Sequence, residues 1–199
     1  MSRPSPVPHS IHEQALDDIR YIRSTVENAG QFTAVSGRGG VAMGVTGLLA
    51  AVAAATQTSV PTRWLAIWLS AAVVATSLGI FFMAWKSRRA GVSLVSAPAR
   101  RFALAFVPAI AAAAALTVVL ASRAELDLLP PLWLLLYGVA VSAGGALSVR
   151  VIPFMGLALL VTGVAALLVP FAAANLLLGV GFGLVQIAGG VVIIRRYGG

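Results

Sequence analysis

Two histidines near the N-terminus, His9-x-x-His12, have a spacing that could set two imidazoles on one metal ion. Zinc sites take at least three protein ligands, and no cysteine occurs anywhere in the chain to help supply them. No metal site is therefore expected. Asp17-Asp18 lacks the other oxygen donors that a calcium loop provides. Both histidines precede the long apolar segments, so no serine, histidine and acid set is available for nucleophilic catalysis. The lack of cysteine removes thiol chemistry and disulfides as well. Gly179-x-Gly181-x-Gly183 is not a phosphate-cradling loop, because no strand precedes it. The expectation is a protein that is not an enzyme, with no catalytic residue and no cofactor.

The other polar candidates lie inside apolar segments: Gln186, Asn175, Ser142, Thr46, Thr117 and Thr162. An ionisable group in hydrocarbon is costly and marks an ion path or a proton relay. No such group falls within the apolar segments, and the nearest, Arg150, sits in the short turn between the fourth and the fifth. Its role reads as topological. Gln186, near the middle of the last apolar segment, reads first as an interhelical hydrogen bond, worth about 1 kcal/mol, and second as a solute contact. Serine and threonine can bond the preceding turn of their own helix and carry less information.

The elements that must hold these residues follow from composition. The chain has 199 residues, 59% hydrophobic and 10% charged, with a mean hydropathy of +0.95. A soluble domain needs more charge than this to cover its surface. Apolar runs of about 20 residues match a bilayer core roughly 30 Å thick. They lack the alternation of a membrane barrel strand, so helices must satisfy the backbone. The fold class expected is all-α: a polytopic bundle of six transmembrane helices within 39–196, near 41–56, 64–85, 102–121, 131–148, 151–169 and 175–195. Sixteen residues is short for the first, so its start extends toward Gly39. Pro108 should kink the third, and Trp64, Trp85 and Trp133 fall at the expected interfaces.

Of fourteen lysines and arginines, all but Arg63 and Arg123 fall on one side if the N-terminus is inside. That distribution predicts cytoplasmic N- and C-termini and an even number of spans. It also accounts for the net charge of +8 without nucleic acid, for which there is no basic stripe or interleaved aromatic platform. No apolar stretch precedes Val41, so no cleaved signal peptide is expected, and Ser2 stands where N-myristoylation needs glycine.

Ahead of the spans, residues 1–9 with Pro4, Pro6 and Pro8 read as an extended proline-rich tail. Ser10-Ile-His-Glu13 reads as a capping box. Ile11, Ala15, Leu16, Ile19, Ile22 and Val26 then recur at helical spacing up to Gly30. Residues 10–30 are thus expected to be an amphipathic cytoplasmic helix. Its polar face carries Glu13, Asp17, Asp18 and Glu27 with Arg20 and Arg23. Helices that lie on lipid are usually rich in lysine and arginine. Asp17, Asp18, Arg20 and Arg23 are instead candidates for a protein partner, or for covering the helix's own domain. Ser36-Gly-Arg-Gly-Gly40 reads as a flexible link to the first span.

Glycines are frequent in the spans. Gly40-x-x-x-Gly44 and Gly179-x-x-x-Gly183 fit the small-residue spacing that lets helices approach, and Gly144-Gly145 and Gly189-Gly190 add flat patches. They read as packing surfaces, within one subunit or in a homo-oligomer. Arg38 precedes Met43-Gly44 as Arg150 precedes Met155-Gly156, and Pro61-x-x-Trp64-Leu65-x-x-Trp68 echoes Pro130-x-x-Trp133-Leu134-x-x-Tyr137. These echoes suggest three helical hairpins, 41–85, 102–148 and 151–195.

Asp17-Asp-Ile-Arg-Tyr-Ile-Arg-Ser-Thr-Val-Glu-Asn-Ala-Gly30, the segment Gly40-Val-Ala-Met-Gly-Val-Thr46 and the ending Arg195-Arg-Tyr-Gly-Gly199 resemble a family of small uncharacterised bacterial inner-membrane proteins. The resemblance runs over the whole chain and implies a bacterial inner-membrane location. It brings no activity or catalytic residue. The function expected is a non-enzymatic membrane protein acting through protein contacts: a structural or accessory subunit, or a sensor with a cytoplasmic or membrane partner and membrane lipids around it. The competing expectation is a small transporter or channel for an apolar or neutral solute, its path lined by Gln186, Asn175 and the Pro108 kink.

Overall fold

The computed structural model describes residues 35–91 and 95–197, together with Ile19. The chain divides into two units, Met1–Gln31 and Phe32–Gly199. The expected tail 1–9, most of the amphipathic helix 10–30, His9 and His12, and the four charged residues Asp17, Asp18, Arg20 and Arg23 lie outside the described residues.

The second unit is helical, with no strand among the described residues. Its helices are α1 (Gly37–Ala55), α2 (Pro61–Ala90), α3 (Ala97–Ser122), α4 (Leu129–Gly145), α5 (Val151–Leu167) and α6 (Phe171–Tyr197). Four of these, and α4 taken with the 3-10 turn Leu126–Leu128 that leads into it (20 residues in all), are long and apolar enough to cross a membrane, whereas α5 is a shorter apolar helix of 17 residues. The chain is thus built as a multi-pass membrane protein.

Local chemistry sets the boundaries. Pro61, at the start of α2, and Pro130 and Pro131, at the start of α4, use positions where a missing N–H costs nothing. Ser96 caps α3 by accepting from the Ala99 amide. Gly91 ends α2 with φ +64°, the left-handed geometry that glycine supplies most readily. α3 runs unbroken as a helix through Pro108.

The stretch Ser36-Gly-Arg-Gly-Gly40, expected to be a flexible link, is instead the first turn of α1. Glycine is a poor helix former, by about 1 kcal/mol against alanine. Tertiary contact outweighs that here. Ser36 Oγ accepts from the Gly39 amide at 3.3 Å, and Gly37 lies so close to α6 that a Cβ on it would stand 2.5 Å from the Gly190 carbonyl oxygen.

α1 packs between α2 and α6, α4 packs between α3 and α5, and α6 also touches α5 and α4. The closest pairing, α4 with α5, joins the second and third of the expected hairpins, so the contacts do not separate three independent units. The core lies where α1, α2, α4, α5 and α6 meet, around Leu129, Leu134, Leu159, Leu178 and Trp64, all fully buried. α2 and α3 bury little of their length and present Leu69, Val73, Ile80, Phe81, Leu104, Val107 and Val118 outward, as helices facing lipid do.

α6 is irregular in its middle. Between Phe171–Leu178 and Gln186–Tyr197, residues Gly179–Val185 form a π-helical turn. An i→i+5 turn accommodates an extra residue and rotates the C-terminal half of a helix relative to its N-terminal half.

Candidate functional site

The sequence offers two amides in α6, Asn175 and Gln186, eleven residues apart. On an uninterrupted α-helix they would stand only about 20° apart around the axis and share a face. The π turn between them removes that alignment, and each amide meets different helices.

Asn175 is fully buried. Its Oδ1 accepts from two indoles of α2, Trp64 Nε1 at 2.9 Å and Trp68 Nε1 at 3.0 Å. Its Nδ2 donates to the Ala51 carbonyl of α1 at 3.1 Å. Two indole donors fix which end of the amide is oxygen, because an indole N–H can only donate. One side chain thereby ties α6 to α1 and α2. Gln186 Nε2 donates to the Tyr137 hydroxyl of α4 at 2.6 Å. Thr117 of α3 donates to the Ala113 carbonyl on its own helix and accepts from Trp133 Nε1 of α4 at 2.8 Å. Its hydroxyl is therefore also an interhelical tie, which the tendency of threonine to bond its own helix does not anticipate.

Rings connect these bonds. Trp64 and Trp133 stack, with centroids 5.6 Å apart and planes 5° from parallel. Phe171 tilts against Trp64 at 4.8 Å. Phe182, inside the π turn, stands between Trp68 at 6.1 Å and Tyr137 at 5.3 Å. Tyr137 meets Phe106 edge-on at 6.0 Å, and Phe106 stacks on Phe102 at 5.6 Å. The sequence echo thus has a spatial meaning. In each motif the two aromatics are four residues apart and share a helix face. The first of each pair, Trp64 and Trp133, stack on one another, and the second of each, Trp68 and Tyr137, bond the α6 amides Asn175 and Gln186. Trp64 and Trp133 were expected as interface anchors; Trp64 is instead fully buried, because its N–H has a partner in the core.

The glycines line the helix crossings. Gly40 lies against Gly190, and Gly44 against Ile187 and Gly183. Gly190 in turn meets Gly37 and Val41, Gly183 meets Leu48, and Gly179 meets Ala51, all on α1. Gly144 faces Phe102 of α3, Gly145 faces Ile152 and Pro153, and Gly189 faces Met155 of α5. Gly138 and Gly163 form a second close crossing between α4 and α5, as does Gly156, which lies against Ser142.

Chemically, the network can hold helices together. Its members donate and accept hydrogen bonds but include no carboxylate, imidazole or amine. Among the described residues no three His, Cys, Asp or Glu side chains gather to hold a metal, and no buried side-chain N or O lacks a hydrogen-bond partner. No protein-family model, curated protein or solved structure matches the chain.

Proposed function

We propose that this chain is a six-span protein of the bacterial inner membrane, with both termini cytoplasmic, that acts through protein contacts and not as an enzyme. It serves as a structural or accessory subunit, or as a sensor with a cytoplasmic partner. The observation that carries this reading is the closed state of the polar network: Asn175, Gln186, Thr117 and the three indoles in it are bonded across helices. A solute path presents polar groups to its cargo. Here the groups that would greet a neutral solute already hold the bundle together, which favours the contact reading over a transporter or channel.

Six spans require α5 to cross. Its 17 residues give about 25 Å of helix, at the lower end of spanning length. Two features support a crossing: α5 is packed against α4 and α6, sheltered from lipid on that side, and Arg150 at its N-terminal end is exposed. The division of lysine and arginine supports the orientation. The sequence resemblance supports the bacterial inner membrane.

Partner binding is assigned to residues 10–30, with Asp17, Asp18, Arg20 and Arg23 on the binding face. The test is copurification in mild detergent of the intact chain and of a chain lacking residues 1–30. The truncated form should stay inserted, melt at the same temperature and lose a specific associated protein. Equal recovery of every associated protein by both forms would contradict the assignment.

A further inference from the structure

α2 reaches past the apolar run into a basic end, Trp85-Lys-Ser-Arg-Arg89. There the guanidinium carbons of Arg38, from the first turn of α1, and Arg89 stand over the same indole, Trp85, at 5.1 and 4.0 Å from its centroid. Two cations are thus held on one ring, closer to each other than the roughly 10 Å Debye length at 0.1 M salt. Both arginines are exposed, as is Arg88 beside them, whereas Trp85 is half-buried. The only carboxylates among the described residues are Glu125 and Asp127, beyond the far end of α3, a helix of 26 residues and roughly 39 Å.

This arrangement has a chemical consequence. A guanidinium over an aromatic face keeps its N–H donors in its own plane, free to form the bidentate pair that suits a phosphate. Contact with the ring also restricts a side chain that would otherwise lose its freedom on binding. Basic pockets at the membrane surface attract anionic headgroups, with about 1 kcal/mol for each lysine or arginine. A tryptophan at the end of a span sits at headgroup depth, so the position suits a lipid phosphate better than a dissolved one.

We propose that Arg38 and Arg89, held on Trp85, form a binding site for the phosphate of an anionic phospholipid headgroup. The site rests on the chain being a membrane protein but not on which end faces the cytoplasm. In reconstituted vesicles with the same lipids in both leaflets, it is tested whatever the orientation.

The experiment uses the full chain in phosphatidylcholine vesicles. Brominated phosphatidylglycerol or brominated phosphatidylcholine is titrated in, and the Trp85 signal is taken as the difference from Trp85→Phe. Half-quenching should need about a tenfold smaller fraction of the brominated phosphatidylglycerol. Arg38→Gln with Arg89→Gln should erase that preference, whereas Arg63→Gln, at the other end of α2, should leave it. Retention of the melting temperature by the double variant shows that the fold is intact. Arg38→Lys with Arg89→Lys, which keeps the charge and loses the fork, should keep only part of the preference. Equal quenching by the two lipids would overturn the proposal. So would an undiminished preference in the double Gln variant, or loss of the preference on adding 10 mM inorganic phosphate at constant ionic strength, which would assign the arginines to free phosphate.

Discussion

At the scale of single residues, Asn175 and Gln186 look alike in sequence and differ in consequence. Removing the Gln186 amide loses one bond to a hydroxyl, worth about 1 kcal/mol in a membrane protein. Removing the Asn175 amide strips the acceptor from two buried indoles at once, and each unpaired buried donor costs about 1–3 kcal/mol. Asn175→Leu should therefore lower the detergent melting temperature several-fold more than Gln186→Leu, and should blue-shift or broaden the near-ultraviolet tryptophan circular dichroism. Equal, small losses would mean that the network is incidental to the fold. The importance of Gln186 is legible in the sequence because an amide in the middle of an apolar run stands out. Asn175 is less visible, since it lies near a helix end where water could reach it, and the inward turn of Trp64 depends on where Asn175 sits. The echo of two Pro-x-x-Trp-Leu-x-x-aromatic motifs is the available signal. In sequence it suggests repetition; its other meaning, two ring pairs that meet, needs the helix arrangement.

At the scale of elements, the spacing of glycines proposes close crossings, and the structure ranks them. A Cβ on Gly44 would stand 2.7 Å from the Gly183 carbonyl oxygen, whereas the nearest atom to one on Gly40 is the Gly190 Cα at 3.2 Å. Backbone cannot swing aside as a side chain can. Gly44→Ala should cost about 1–3 kcal/mol through overpacking, and Gly40→Ala clearly less, read as melting temperature in detergent. The reverse order would contradict the α1–α6 crossing. The π turn makes a second test. If Gly179–Val185 holds one residue more than an α-helix needs, deleting exposed Val180 should leave both amides facing their partners and the protein folded. Deleting exposed Val192, in the regular part of α6, should misplace the end of the helix and destabilise the protein. No local pattern announces this turn: glycine-rich apolar sequence is common to every crossing in the bundle, and only the demand that Asn175 and Gln186 face different helices distinguishes it. The helical start at Gly37 is hidden for a related reason, because its stabilising contact lies 153 residues away at Gly190.

At the scale of the whole molecule, composition and run length make the helical, multi-pass character plain, whereas the count of crossings depends on one short helix. α5 packs against α4 and α6 on one side and exposes Phe154, Leu157, Val161 and Val164 on the other, and a helix this short, covered by protein on one side, can cross or turn back within the bilayer. The charge distribution favours a crossing, since without it the basic pair Arg195 and Arg196 would end on the side of Arg63 and Arg123. The absence of cysteine makes the question directly measurable. Single cysteines at exposed Ala146, ahead of α5, and exposed Leu168, just past its end, would be labelled in intact cells with a membrane-impermeant maleimide, before and after permeabilisation. Six spans with a cytoplasmic N-terminus predict that position 168 is labelled from outside in intact cells and position 146 only after permeabilisation. Labelling of both from the same side would show that α5 does not cross, and would contradict the six-span account.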